Sequence, residues 1–283
     1  MAMRYLNAFL LLIITVILFS CSNEQPKKET SATNEKERGV VKAISSKVVA
    51  KAIIKSDLKR LNIAGNIKSL TESTFRSTLK LGVVKKGPLN SRKIILFDIK
   101  GNQKELSSYS SNGKLEEKSA YKYDEDGNKI EYSFSQSDGS LDYKSTFKYD
   151  ENGYIIEEIA NYPDGSLYYK ATYEYDEKGN QTEYVLYNLL GNQIKKKTFG
   201  YDDKEIQIEE NHFDSKGSLT NRYTFKYDDK GNMIEHSAYN PDNSFRGSLI
   251  YKYDYDKKGN WIKKTTCKND KALEITERVI EFY

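Results

Sequence analysis

A chain of 283 residues suits one domain of moderate size or one repeat array. Its 45 basic and 41 acidic side chains leave a formal charge of only +4 and alternate along the sequence. That pattern describes a solvated mixed-charge surface and argues against a nucleic-acid stripe or a basic membrane arm. Twenty-three tyrosines beside only 4 prolines favour strands over helices.

Taken in chain order, Arg4 supplies a positive start and residues 8–18 an apolar run. A dozen apolar residues are short for a spanning helix, which needs roughly 20, and fit the apolar region of a signal peptide over residues 1–20. The run ends in Leu18-Phe19-Ser20-Cys21, which resembles the lipobox of bacterial lipoproteins, although Phe19 is bulkier than usual there. The resemblance implies cleavage before Cys21 and acylation of its thiol and new amine. The competing reading is an uncleaved anchor helix with an incidental cysteine. If Cys21 carries lipid, Cys267 has no partner within the chain, and the mature protein has no internal disulfide.

Residues 21–38 are polar, with no aromatic and no aliphatic larger than Ala, and read as a flexible tether. In residues 39–61, Val41, Ile44, Val48, Ala52 and Leu58 recur at near-helical spacing and predict a short helix. A β-repeat domain is expected over residues 62–283, with Ile67 to Thr78 as its first strand.

From Ile94 the chain repeats. Tyr-Asp pairs begin at Tyr123, Tyr149, Tyr175, Tyr201, Tyr227 and Tyr253, each 26 residues after the last, with Phe97-Asp98 one step earlier. Gly113, Gly139, Gly165, Gly191 and Gly217 keep the same beat, with Asn243 in the next slot. So do Glu105, Glu131, Glu157, Glu183, Glu209 and Glu235. A fixed period in this range means stacked repeats. Each copy holds two turns of the form Asp-x-x-Gly or its equivalent, where Asp caps a type I turn and Gly takes the positive φ that closes a hairpin through a bulge. Between turns, stretches such as Tyr143-Lys144-Ser145-Thr146-Phe147-Lys148-Tyr149 alternate with period two. The expected fold is therefore all-β: an antiparallel meander with about two strands per 26-residue repeat, in which Phe147 faces Ile156 and the Glu column runs beside Lys118, Lys144, Lys170, Lys196 and Arg222. Leu273 to Tyr283 reads as a closing strand.

Tyr121-Lys122-Tyr123-Asp124-Glu125-Asp126-Gly127-Asn128 resembles the YD, or RHS, repeat of bacterial envelope and secreted proteins, and Tyr173 to Asn180 and Phe225 to Asn232 match equally well. The chain is similar to small lipoproteins of Bacteroidetes-like bacteria. The resemblance implies a spiralling, coiled β-sheet and, in some members, carbohydrate binding. Large members wall a shell around a toxin. This chain has too few copies for a cage, and its repeat is longer than the usual unit.

Catalytic chemistry is hard to place, and neither a catalytic residue, a metal nor a cofactor is expected. His212 and His236 fall in different columns and read as surface histidines. Cys267 lacks a base, and no Gly-x-Ser-x-Gly elbow occurs. The aromatic face, with Tyr143, Phe147, Tyr149, Tyr173, Tyr175 and Phe225, reads first as core and second as a stacking surface. Candidate stacking residues are Trp261, Tyr143, Tyr149 and Tyr175, and Cys21 is the candidate lipid anchor. The expectation is a non-enzymatic envelope module, lipid-anchored at the outer membrane on its periplasmic or surface side, that presents a surface to a protein or glycan and not to nucleic acid. An immunity protein paired with a toxin is the second reading, and a glycan-active enzyme the third.

Overall fold

The computed structural model describes residues 57–80 and 83–283. The expected signal peptide, the tether, Cys21 and most of the expected helix lie outside the described residues. The part of that helix that is described is a single turn, α1 (Asp57–Arg60).

The strands follow as β1 (Ile67–Lys80), β2 (Val83–Phe97), β3 (Gln103–Ser110), β4 (Leu115–Tyr123), β5 (Lys129–Gln136) and β6 (Leu141–Tyr149). Then come β7 (Ile155–Asn161), β8 (Leu167–Tyr175), β9 (Gln181–Tyr187), β10 (Gln193–Tyr201) and β11 (Gln207–Phe213). The last are β12 (Leu219–Tyr227), β13 (Met233–Tyr239), β14 (Phe245–Tyr255), β15 (Trp261–Lys268) and β16 (Lys271–Phe282). Each pairs antiparallel with its sequence neighbours, two strands per repeat, as the turn spacing predicts. The expected coiled, spiralling sheet is corrected: β16 pairs back onto β1, with Leu70 opposite Ile280 and Thr74 opposite Thr276, and the sheet closes as a 16-stranded barrel. Closure removes the two open edges that a spiral would leave at β1 and β16.

The repeat motif has a specific local cause. In the turn from Asp124, the Gly127 amide donates to the Asp124 carbonyl at 3.1 Å, and the Asp124 amide donates to the Asn128 carbonyl at 2.9 Å. The Asp124 carboxylate accepts from the Asn128 amide at 2.7 Å and from the Asn128 side chain at 2.8 Å. The Asn that follows the glycine is thus the second half of a clasp, which recurs at Asn102, Asn180, Asn232 and Asn260. The glycine slot has φ near +87° at Gly127, and Glu205 and Asn243 adopt φ of 62° and 63° where the glycine is missing.

The same clasp corrects the register. Phe147 faces Glu158, not Ile156, and Lys148 faces Glu157. The hairpin closes between Asp150 and Tyr154, one residue later than a four-residue turn would, and a bulge at Tyr149 adds a second step. A shift of two keeps every side chain on its expected face. The Glu and Lys columns accordingly meet on one wall, as Glu105–Lys118 at 2.8 Å, Glu157–Lys170 at 2.5 Å, Glu209–Arg222 at 2.6 Å and Glu235–Lys226 at 2.9 Å. Lys144 joins Glu131 at 3.6 Å, and Lys196 joins Glu183.

The opposite face is the inner one. Residues 58–66 identify it, because they cross one mouth of the barrel and pack Leu58 and Ile63 onto Leu70, Ile95 and Phe97. Asp57 accepts from the Gln103 amide at 2.9 Å on one side, while Asn62 donates to the Lys230 carbonyl at 2.8 Å and to the Asn232 side chain at 2.9 Å on the other. On the inner wall tyrosines alternate with small residues. Tyr143 and Tyr169 lie among Ala160, Ala171 and Ser145, all three fully buried, with Tyr132, Phe134, Tyr173 and Tyr184 packed around them. A second group joins Tyr223, Ala238 and Phe225.

Candidate functional site

The Tyr-Asp tyrosines end alternate strands and ring the mouth that residues 58–66 cross. Five of the hydroxyls reach back 20 residues to a backbone carbonyl at the start of the adjacent strand. Tyr123 donates to Gln103 at 3.0 Å, Tyr149 to Lys129 at 2.6 Å, Tyr175 to Ile155 at 2.9 Å, Tyr201 to Gln181 at 2.9 Å and Tyr253 to Met233 at 2.7 Å. These rungs stitch each Asp-x-x-Gly hairpin to its neighbour. They were legible in principle: the period places the tyrosine of one copy beside the strand start of the previous copy.

Beneath the rungs, an open-mouthed cavity of about 1040 Å³ is lined by Tyr123, Tyr149, Tyr154, Tyr173 and Tyr175, with Asp57, Asp150, Asp176, Asn128 and Asn180 among its polar groups. Tyr123 also donates to the Asp57 carboxylate at 2.8 Å. Tyr154 stacks on Tyr175 with ring centroids 4.9 Å apart and planes 22° apart. Gly179 permits this, since a Cβ there would collide with the Tyr154 hydroxyl. Burial pushes the Tyr149 and Tyr175 phenols up to about 12, with the nearby Asp124 and Asp150 charges adding to it. Both therefore stay protonated and donating at neutral pH. The Asn180 side chain and amide hold the Asp176 carboxyl below its ordinary value.

Of the four stacking candidates, the cavity brings together Tyr149 and Tyr175. Tyr143 is elsewhere on the inner wall, 4% exposed and stacked on Phe134 at 5.4 Å. Trp261 is 7% exposed, under the Arg278 guanidinium at 3.4 Å and beside Tyr253 at 5.6 Å. Sequence reasoning missed Tyr154, and it placed Tyr173 on the aromatic face without making it one of the four stacking candidates. Tyr154 occupies the position that Asn holds in the clasps from Asp124 and Asp176, and this substitution was the signal for it.

The histidines need correction. Both lie on the inner wall, not at the surface, on either side of Tyr223, with centroids 5.0 and 5.2 Å from it. His212 is buried, and its Nε2 lies 2.5 Å from the Glu210 carboxylate, which Lys197 also approaches at 2.7 Å. Burial raises the Glu210 carboxyl, but the hydrogen bonds from His212 and Lys197 outweigh it and hold it at about 2. A second buried ion pair joins Arg278 to Glu72 at 2.8 Å. Cys267 is a buried free thiol, and that burial pushes its pKa above the ordinary value. Among the described residues, no group of three or more His, Cys, Asp or Glu side chains is arranged to hold a metal.

No protein-family model and no curated protein matches the chain. Solved structures do. A porin-like protein from Bacteroides uniformis is similar with a TM-score of 0.51 and 9% identity, over 76% of this chain and 98% of that one. A porin-like protein from Bacteroides vulgatus has a TM-score of 0.45 and 12% identity, over 78% and 99%. A Tc holotoxin pore structure of Photorhabdus luminescens has a TM-score of 0.30 and 12% identity, over 73% of this chain but 14% of that one. At 9% identity the first likeness is one of barrel fold. The lower scores add nothing to it.

Proposed function

We propose that the protein is a non-enzymatic module of the bacterial envelope, held at the outer membrane by lipid on Cys21, that takes a glycan chain into the tyrosine-lined mouth of its barrel. The observation that carries this reading is the cavity itself. Aromatic rings and fixed amides and carboxylates converge on one open-ended space of about 1040 Å³, and sugars are recognised by ring stacking together with polar groups of this kind. The rungs fix the rings in advance, so little ordering entropy is lost on binding.

The outer wall supports placing the barrel beside the membrane instead of across it. A spanning barrel needs an apolar outward band, and a Lys or Arg there costs about 2–4 kcal/mol at the midplane. Lys118, Lys144, Lys170, Lys196 and Arg222 run around this wall with their glutamate partners.

Two measurements test the reading. Metabolic labelling with palmitate is expected to mark the wild type and not Cys21→Ser; equal labelling removes the anchor. Purified protein on a glycan array is expected to bind, and Tyr154→Ala, which leaves every rung in place, is expected to weaken binding roughly tenfold. An array on which the wild type binds nothing removes the glycan.

A further inference from the structure

The hairpin of β1 and β2 is unlike the others. Its strands are 14 and 15 residues long, against 7 to 9 for β3 to β13. β1 leaves its partner β16 after Arg76, and β2 joins β3 only from Ser91. Beyond those points the backbones of the two strands pair with each other, Ser77 with Lys86, Thr78 with Lys85, Leu79 with Val84 and Lys80 with Val83, and the last tie to β16 is the Ser77 hydroxyl, which donates to the Ala272 carbonyl. Residues 78–80, at about 3.3 Å per residue, carry this ribbon to its tip at the mouth opposite the one that residues 58–66 cross.

Its far end is apolar and exposed: Leu79 is 72% exposed, Val83 56% and Val84 43%. Among the described residues, nothing covers these side chains. Around them the charge is mainly positive. The ribbon and its two flanking turns present Lys80, Lys85, Lys114, Lys268 and Lys271 against Asp270, while the turns across the rim carry Asp138, Asp164, Asp214 and Asp242 against Lys216. Apolar side chains bounded by lysines suit the boundary of an anionic lipid layer, where apolar tips enter the acyl region and ammonium groups stay among the headgroups. A strand of a second copy fits less well. Pro88 has no amide to donate, and lysines flank the free edges, which are two devices that discourage edge pairing.

We propose that the β1–β2 ribbon is a membrane-contact element that seats the barrel on an anionic lipid surface through Leu79, Val83 and Val84, with Lys80 and Lys85 on the headgroups. The inference is independent of the glycan reading, and it requires contact with a lipid surface, not a particular anchor. The test uses the full chain reconstituted into vesicles, with an environment-sensitive fluorophore on Leu79→Cys or, across the rim, on Leu190→Cys. In vesicles of phosphatidylglycerol and phosphatidylcholine with brominated acyl chains, the label at 79 is expected to lose most of its emission and the label at 190 little. Phosphatidylcholine alone, raised salt, or Lys80→Glu with Lys85→Glu is expected to restore the emission. A label at 79 that is never quenched by brominated lipid overturns the proposal. So does self-quenching in vesicle-free protein that grows with concentration, which would assign the ribbon to a second copy.

Discussion

Alkali is expected to open this barrel over a narrow range. Burial pushes Tyr251 up to about 12 and, with neighbouring carboxylates, does the same to Tyr149 and Tyr175; it lifts Tyr143, Tyr169 and Tyr173 further still. In an unfolded chain the same phenols titrate near 10. Below pH 10 both states are protonated and the contribution of these residues is complete. Above it the unfolded state gives up its protons first, so stability falls as pH rises towards the folded value. A rise from 10 to about 12 corresponds to about 2.7 kcal/mol for a group fully withdrawn from water. Tyr251, 8% exposed, keeps most of that, about 2 kcal/mol. Tyr149 and Tyr175 are more exposed and contribute about 1 kcal/mol each after solvent screening. The total of roughly 4 kcal/mol approaches the whole stability of a modest domain, about 5–15 kcal/mol. Far-ultraviolet circular dichroism and tyrosinate absorbance, followed from about pH 9 to 12, are expected to change together in one cooperative step above pH 10. Tyr251→Phe is expected to move that step to higher pH. Phenols that titrate smoothly near 10 while the strand signal persists would refute the reasoning, because the inner wall would then be open to water.

On the acid side, Glu210, held at about 2, contributes stability above its ordinary value of 4.5 that is lost as pH falls towards 2, and His236, lowered by burial, subtracts stability once the pH drops below about 6.5. Urea midpoints should therefore fall with acid, and Glu210→Gln should cost about 1–2 kcal/mol at neutral pH but little near or below about pH 2; a constant difference would be the wrong result. Glu205→Gly relieves a left-handed residue and is expected to raise the melting temperature by about 1–3 °C, less than the full strain because glycine also frees the unfolded chain. Glu72→Gln leaves the Arg278 charge buried and is expected to cost about 2–3 kcal/mol in urea, largely recovered by adding Arg278→Met. Asn62→Ala removes two hydrogen bonds that hold the segment across the mouth, and amide exchange over residues 57–66 is expected to quicken while the strands stay protected.

The parts of this fold that could be read from residues are those with a local cause. Asp-x-x-Gly writes its own turn, period-two alternation writes the two faces, and the Glu and Lys columns, 26 residues apart, foretell the paired outer wall. The errors came where two local devices add. The hairpin closes one residue later than a plain turn, and the bulge at Tyr149 adds one more, so the register moves by two while the faces survive. The histidines were misplaced because His212 and His236 sit in different columns of sequence, yet β12 stands between their strands and brings both rings to Tyr223.

Closure is a different kind of fact. It depends on β1 meeting β16, residues some 200 apart, and no repeat contains that instruction. The residues at the seam do carry it. Thr74 meets Thr276 at 3.1 Å, Glu72 meets Arg278, and Tyr283, which ends the chain, donates to the Phe97 carbonyl at 2.7 Å much as the repeat tyrosines do across their own hairpins. The first and last strands therefore depart from the repeat for one reason: they complete each other. A repeat array becomes a ring when its ends are complementary, and that complementarity is also what leaves the inner wall shielded enough to keep its phenols protonated.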